Sequence, residues 1–142
     1  MPLSAKTEYA CIAVLELALR YSRDEPVRIR DIADAHGIPS RFLVQILLQL
    51  KGAGLVASTR GAAGGYRLAQ DPVEITLADV MQVIDGSMGE IDSSAGQSTA
   101  ATRVLLAAWR KAALAEQDIL RGITFADLQD SLHGEAEGMY YI

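Results

Sequence analysis

Two arginines and a cluster of glycines are the residues of this chain best suited to act on another molecule. Residues 60–67 read Arg-Gly-Ala-Ala-Gly-Gly-Tyr-Arg. Short runs with strand character, Leu55 to Thr59 and Tyr66 to Leu68, flank the loop from Arg60 to Gly65. Gly61, Gly64 and Gly65 can supply the backbone angles that close antiparallel strands, so the segment is expected to be a β-hairpin. Arg60 and Arg67 then stand beside its tip, where guanidinium groups can reach a phosphate backbone or a minor groove. The plainer alternative is a solvated hairpin whose arginines bind nothing specific. A phosphate-cradling P-loop fits less well, because Gly65 is followed by Tyr66 and a strand pattern rather than by Lys and Ser or Thr opening a helix.

A second set of chemically useful residues precedes the hairpin. From Ser40 to about Lys51 the sequence predicts a helix with a buried stripe of Leu43, Ile46, Leu47 and Leu50, ended by Gly54. Its exposed opening carries Ser40, Arg41, Val44 and Gln45. In a helix-turn-helix the first residues of the second helix meet base edges. Arg41 can donate two hydrogen bonds to a guanine and Gln45 can pair with an adenine, each worth ~1–3 kcal/mol of discrimination. Gln45 is equally readable as a solvated helix residue. Arg41 gains nothing locally, since a cation at a helix opening opposes the helix dipole.

These residues need a scaffold, and the rest of the chain supplies one. Ser4 can cap a helix to about Ser22, with Ile12, Leu15 and Leu19 on one face. Val27 to Ile29 reads as a short strand and Asp31 to His36 as a brief helix stopped by Gly37. Thr76-Leu77-Ala78-Asp79 resembles a capping box for a helix through Ile84. A linker-like stretch, residues 86–99, leads to an alanine-rich helix from about Ala100 to Arg121. There Leu105, Ala108, Ala112, Ala115 and Ile119 recur at 3, 4, 3, 4 spacing with Trp109 beside them, a seam suited to pairing with a second copy or to packing on the chain's own body. Thr124-Phe125-Ala126-Asp127 opens a last short helix before an acidic, then aromatic, tail. The expected class is mainly α with a small β-hairpin wing. The expected organisation is a winged helix-turn-helix domain over 1–85, a flexible loop over 86–99, and a dimerisation helix, short helix and tail over 100–142.

Charge agrees with this division. Residues 1–70 carry nine Lys or Arg against six acidic residues, whereas 71–142 carry four against twelve, so a net charge of -5 hides a basic N-terminal half. Nucleic-acid affinity follows local rather than net charge. At 142 residues the chain can bury roughly 70% of its unfolded surface. It has no apolar run near ~18 residues and no basic-then-apolar leader pattern, so a cytoplasmic protein is expected. One cysteine, Cys11, with His36 and His133 far apart makes a poor metal-ligand set. No histidine has a nearby nucleophile in sequence, so an enzyme is not expected.

With helix, turn, helix and wing in place, the chain resembles the Rrf2 family of bacterial winged-helix regulators. The residues that carry the resemblance are Ser4-Ala5-Lys6, Tyr9-Ala10, Ile32-Ala33, Gly37-Ile38, Leu43, Gln45, Gly54-Leu55-Val56 and Arg60 through Tyr66, continuing through Asp79-Val80 and Trp109. The resemblance implies a repressor that binds a double-stranded DNA operator as a homodimer crossed by the long helix through Leu105, Ala108, Trp109, Ala112, Ala115 and Ile119. It implies Arg60 in the minor groove and Arg41, Phe42, Val44 and Gln45 at the major groove, with Lys6, Ser40, Gly61, Gly64, Gly65 and Tyr66 in the same DNA-facing set. Val44 departs from members that carry a glutamate there, so the operator should differ. Cluster-binding members place three cysteines in the region of residues 86–106, and this chain has none there, so no cofactor or metal is expected. Cys11 is read as a small buried residue or, less simply, a redox switch.

Within the family the chain is most similar to cluster-free repressors of cysteine metabolism. Their similar Tyr-Ile ending implies that Tyr140, Tyr141 and Ile142 bind cysteine synthase (O-acetylserine sulfhydrylase), an apolar side chain and carboxylate entering its amino-acid site. The tail could instead fold back on the dimer. Two further alternatives stay open: a module that binds or inhibits that enzyme through its tail with DNA binding weak or lost, for which Arg60→Ala would be silent, and a repressor sensing a small ligand or redox signal.

Overall fold

Among the described residues, 3–86 and 91–140 of the computed structural model, six α-helices and one hairpin follow one another along the chain. They are α1 (Ala5–Leu19), α2 (Ile29–His36), α3 (Ser40–Gly52), β1 (Val56–Thr59), β2 (Gly65–Leu68), α4 (Leu77–Asp85), α5 (Ala100–Arg121) and α6 (Phe125–Tyr140). The class is the expected one, mainly helical with an antiparallel wing in which Val56 pairs with Leu68 and Thr59 with Gly65. No helix among the described residues is long and apolar enough to cross a membrane.

Ser4 caps α1, its hydroxyl accepting from the Thr7 amide at 3.1 Å. The buried face of α1 is not the expected one. Thr7, Ala10, Ala13, Val14, Leu17 and Ala18 are buried, whereas Ile12, Leu15 and Leu19 are only partly covered. The helix is central, touched by α3, α4 and α6, and close approach from several sides needs small side chains at the contacts. Its first turn also holds the far end of α4: the Asp85 carboxylate accepts from the Thr7 hydroxyl at 2.5 Å and from the Ser4 hydroxyl at 3.4 Å. A negative charge is favoured at that helix end.

Past α1 the chain makes a 3-10 turn, Tyr21–Arg23, closed by Asp24 in the left-handed conformation at φ 51°. Val27 forms a single bridge to Tyr66 rather than a strand of its own. The helix after it opens at Ile29, two residues before the expected Asp31. Asp31 lies in its first turn, where an acidic side chain meets the positive end of the dipole, so it marks that turn and not the boundary. In α3 the expected stripe of Leu43, Ile46, Leu47 and Leu50 is fully buried, each residue contributing about 1.5–3 kcal/mol of apolar burial. The Thr76–Asp79 capping box opens α4 as expected.

Helix α5 keeps its expected bounds under a capping box of Thr99 and Thr102. The chain then returns to the body. The Leu77 amide donates to the Ile123 carbonyl at 3.0 Å and the Phe125 amide to the Ile75 carbonyl at 2.9 Å, and Phe125 is completely buried in the core cluster. Thr124 and Asp127 cap α6 reciprocally. This helix is not short: it runs 16 residues, to Tyr140, and packs against α1. A helix already nucleated by its cap propagates through Gly134 and Gly138, although each glycine costs about 1 kcal/mol. Of the expected loop, residues 91–99 are irregular up to the cap of α5, with the Arg110 guanidinium donating to the Ile91 carbonyl at 2.8 Å, and residues 87–90 lie outside the described set.

Candidate nucleic-acid interface

The turn into α3 is built by Gly37, left-handed at φ 66°, and by Pro39 at the N-cap, which offers no side-chain acceptor. The first amides of α3 are therefore not capped by a side chain, and a helix opening in that state attracts anions. No acidic residue occurs anywhere in α3. Ser40, Arg41, Phe42, Val44 and Gln45 are all exposed, as expected for a reading face. The Arg41 guanidinium lies 5.1 Å from the centre of the Phe42 ring, and that ring is 6.2 Å from the ring of Tyr9 on α1. Contrary to the expectation that Arg41 gains nothing locally, the neighbouring Phe42 ring gives the cation a resting place worth ~0.5–1 kcal/mol at an exposed site. Lys6 stands one turn before Tyr9, exposed and on the same side of the body. Leu48 completes the outer face of α3, exposed at 55%. Leu48 is absent from the expected set, although the i, i+4 and i+7 spacing from Arg41 through Gln45 to Leu48 places it on the same face.

The wing is braced at three points. Val27 and Tyr66 exchange two backbone hydrogen bonds, of 2.7 and 2.8 Å, so the Tyr66 backbone is committed to the fold. The Arg28 guanidinium donates to the Ala62 carbonyl at the tip, a contact across 34 residues that carries no sequence signal. Lys51 of α3 donates to Ser58 of β1 at 2.7 Å, tying reading helix to wing. Gly64 and Gly65 leave no room for a side chain, since a Cβ would meet the Thr59 oxygen at 2.2 Å and the Val27 oxygen at 2.6 Å, whereas Gly61 is open and holds φ 107°. Arg60 rises from this braced loop, exposed and without a side-chain partner among the described residues. Arg67 does not join it: its guanidinium pairs with Asp24 at 2.9 Å. Being in β2 it points away from the tip toward the 3-10 turn, where an exposed pair is worth at most ~1 kcal/mol.

Helix α5 has no buried residue among those described. Its C-terminal half lies on α4, and Leu105, Ala108, Trp109, Ala112, Ala115 and Ile119 are exposed, with Leu105 at 63% and Trp109 at 64%. A groove of about 610 Å³ between residues 91–95 and α5 is lined by Ile91, Ala95, Leu105, Leu106 and Trp109 with Thr102. Tyr140 ends α6, and its side chain, with Tyr141 and Ile142, lies outside the described residues.

Among the described residues no three His, Cys, Asp or Glu side chains are grouped to hold a metal. Cys11 is part-buried in α1, and its thiol is pushed up to about 11 by burial first and then by the Asp85 carboxylate. An iron-sulfur cluster takes several thiolates. One cysteine in 142 residues, held as a thiol, does not fit such a group.

A family model described as Rrf2, iron-dependent transcriptional regulator, matches residues 3–131. A helix-turn-helix-type transcriptional regulator of Mycobacterium tuberculosis is 40% identical over 136 residues, covering 90% of this chain and 81% of its own. The regulator IscR of Vibrio cholerae is 37% identical over 130 residues, covering 90% and 75%. CymR of Bacillus subtilis is 31% identical over the whole of both chains. The solved structure of CymR, described as the global cysteine regulator of that organism, superimposes with a TM-score of 0.80 over 92% of this chain and 98% of that one, at 30% identity.

Proposed function

Because this chain belongs to the Rrf2 family of transcriptional regulators, we propose that it is a homodimeric repressor that reads its operator with α3 in the major groove and Arg60 in the minor groove. The observation that carries this reading is Arg60 itself, a cation without a partner among the described residues, on a wing braced at Val27, Arg28 and Lys51. The acid-free opening of α3 presents Ser40, Arg41, Phe42, Val44 and Gln45. Lys6 adds a phosphate contact, and Gly61, Gly64, Gly65 and Tyr66 shape the loop that bears Arg60. Pairing through the exposed side of α5 sets two such heads on like half-sites about one DNA turn apart. Selection of duplexes from a random pool tests this: two like half-sites are expected, and no enrichment, or a lone half-site, contradicts it.

For the signal, we propose control of cysteine metabolism through a complex with cysteine synthase. The support is the similarity to CymR along the whole of both chains together with the Tyr140-Tyr141-Ile142 segment. Titrating purified cysteine synthase with the full chain, and with a chain lacking Tyr141 and Ile142, tests it. Tail-dependent binding that competes with O-acetylserine is expected, and equal binding by both chains, or none, refutes it. The 610 Å³ groove beside Trp109 favours a second reading, a small apolar effector bound on α5.

A further inference from the structure

Along the outer face of α3 the residues alternate in character: Arg41 is charged, Val44 apolar, Gln45 polar and Leu48 apolar. Val44 is 42% exposed and Leu48 55%, neither belongs to the core, and neither packs against it. They are one turn apart, so their side chains form one strip. Two branched aliphatic side chains in the open lose free energy to water unless something covers them. The strip is framed by Arg41 at one end and Lys51 at the other, on a helix without an acidic residue, and Lys51 ties that helix to the wing that bears Arg60. Its occupant must therefore present apolar groups inside a polyanionic surface. In a B-DNA major groove the apolar group on a base edge is the C5 methyl of thymine.

We propose that Val44 and Leu48 are specificity-determining residues that pack against thymine methyl groups, so that each operator half-site carries thymines chosen by contact with this strip. The inference rests on the regulator reading above. It assigns to Val44 a positive selection, for a methyl group, at a place where a polar side chain would select a hydrogen-bonding edge. It also extends the reading face by one turn beyond Gln45. Arg41 and Gln45 fix hydrogen-bonding positions, and the strip between and beyond them fills the adjoining steps with methyl groups.

The test removes the methyl and nothing else. A duplex enriched by the full-length protein from a random pool is resynthesised with deoxyuridine in place of each thymine in turn, and binding is read by fluorescence anisotropy at fixed salt. The intact protein is expected to lose roughly 3- to 5-fold affinity at one or two thymines per half-site, the size of one buried methyl. The double variant Val44→Ala, Leu48→Ala should bind thymine and deoxyuridine duplexes alike. Arg60→Ala should bind all duplexes more weakly yet keep the thymine preference. Both substitutions are at exposed positions, so unchanged thermal unfolding is expected of the double variant. An enriched operator indifferent to its methyl groups, or a preference that survives in the double variant, overturns the inference while leaving the regulator reading intact. A change of oligomeric state in the double variant, seen by sedimentation, would assign the strip to contact between copies and overturn it as well. A pool without enrichment overturns the regulator reading and this inference together.

Discussion

Replacing Gly65 with alanine should unseat the wing without unfolding the body. A Cβ there would lie 2.6 Å from the carbonyl oxygen of Val27 and 2.7 Å from its carbon, both backbone atoms that cannot swing aside like a side chain. β2 must then part from residue 27, which breaks the reciprocal hydrogen bonds of 2.7 and 2.8 Å between Val27 and Tyr66. At ~1 kcal/mol net for each bond, plus partial uncovering of the Val27 side chain, the cost is about 2–3 kcal/mol. For 142 residues this lowers Tm on the order of 6–12 °C, and it is a minority of the ~5–15 kcal/mol that holds a domain folded. Urea denaturation followed by circular dichroism measures the stability, and anisotropy with an enriched duplex measures binding. Affinity should fall by roughly tenfold or more, because Arg60 loses its mounting. Gly96→Ala, with open space around its Cβ, should stay within ~0.5 kcal/mol of the parent. A Gly65→Ala protein as stable as Gly96→Ala and equal to the parent in DNA affinity would refute the reasoning.

Three other outcomes follow from the same geometry. Arg60→Ala should weaken binding to specific and random duplexes alike and lower the slope of log affinity against log salt by about 1, whereas Arg41→Ala should relax preference at one base pair; equal losses from both on all sequences would contradict the division of roles. Glutamate at both Leu105 and Trp109, exposed at 63% and 64%, should leave the fold intact by circular dichroism and give a monomer in sedimentation, and an unchanged dimer would place the interface elsewhere. The Cys11 thiol, raised from 9.0 to about 11 by burial and then by Asp85, makes the unfolded chain ionise first, so between those values the unfolded state holds fewer protons and stability falls as pH rises. The fall should vanish in Cys11→Ala, and at neutral pH the native thiol should react with a disulfide reagent about a hundredfold more slowly than the unfolded one; labelling at the unfolded rate would show that the thiol is not held in this way.

Local signals in the sequence were read reliably where one element sufficed to decide them. Thr76 and Asp79 announce α4, the leucine and isoleucine stripe announces α3, and glycines between strand-like runs announce the wing. The buried side of α1 was misread because hydropathy favours Ile12, Leu15 and Leu19, while the deciding constraint is the room that Ala10, Ala13 and Ala18 leave for three neighbouring helices. Phe125 lies 50 residues beyond Ile75, and nothing in either segment tells that their backbones pair. On the candidate face, the exposure of Arg41, Gln45 and Arg60 was legible from their places on a helix opening and a loop. The pairing of Arg67 was not, because its partner Asp24 is 43 residues away. Arg28 and Leu48 escaped for opposite reasons: one acts through a distant carbonyl, the other is an apolar residue on a face assumed polar.

The backbone pairing of residues 75–77 with 123–125 makes α5 a cantilever. Its root is clamped, because the strand of chain entering α4 and the strand leaving α5 are fastened to each other and to buried Phe125, while the half that bears Leu105 and Trp109 projects beyond the clamp. A beam fixed at its root transmits angle, and the 22 residues of α5 span about 33 Å. A tilt of about 5° at the root therefore displaces the far tip by roughly 3 Å, close to the ~3.4 Å rise of one base step. In a dimer joined through the projecting halves, operator spacing becomes a mechanical readout of that joint. The place to look for altered half-site spacing is the Thr76–Thr124 bridge.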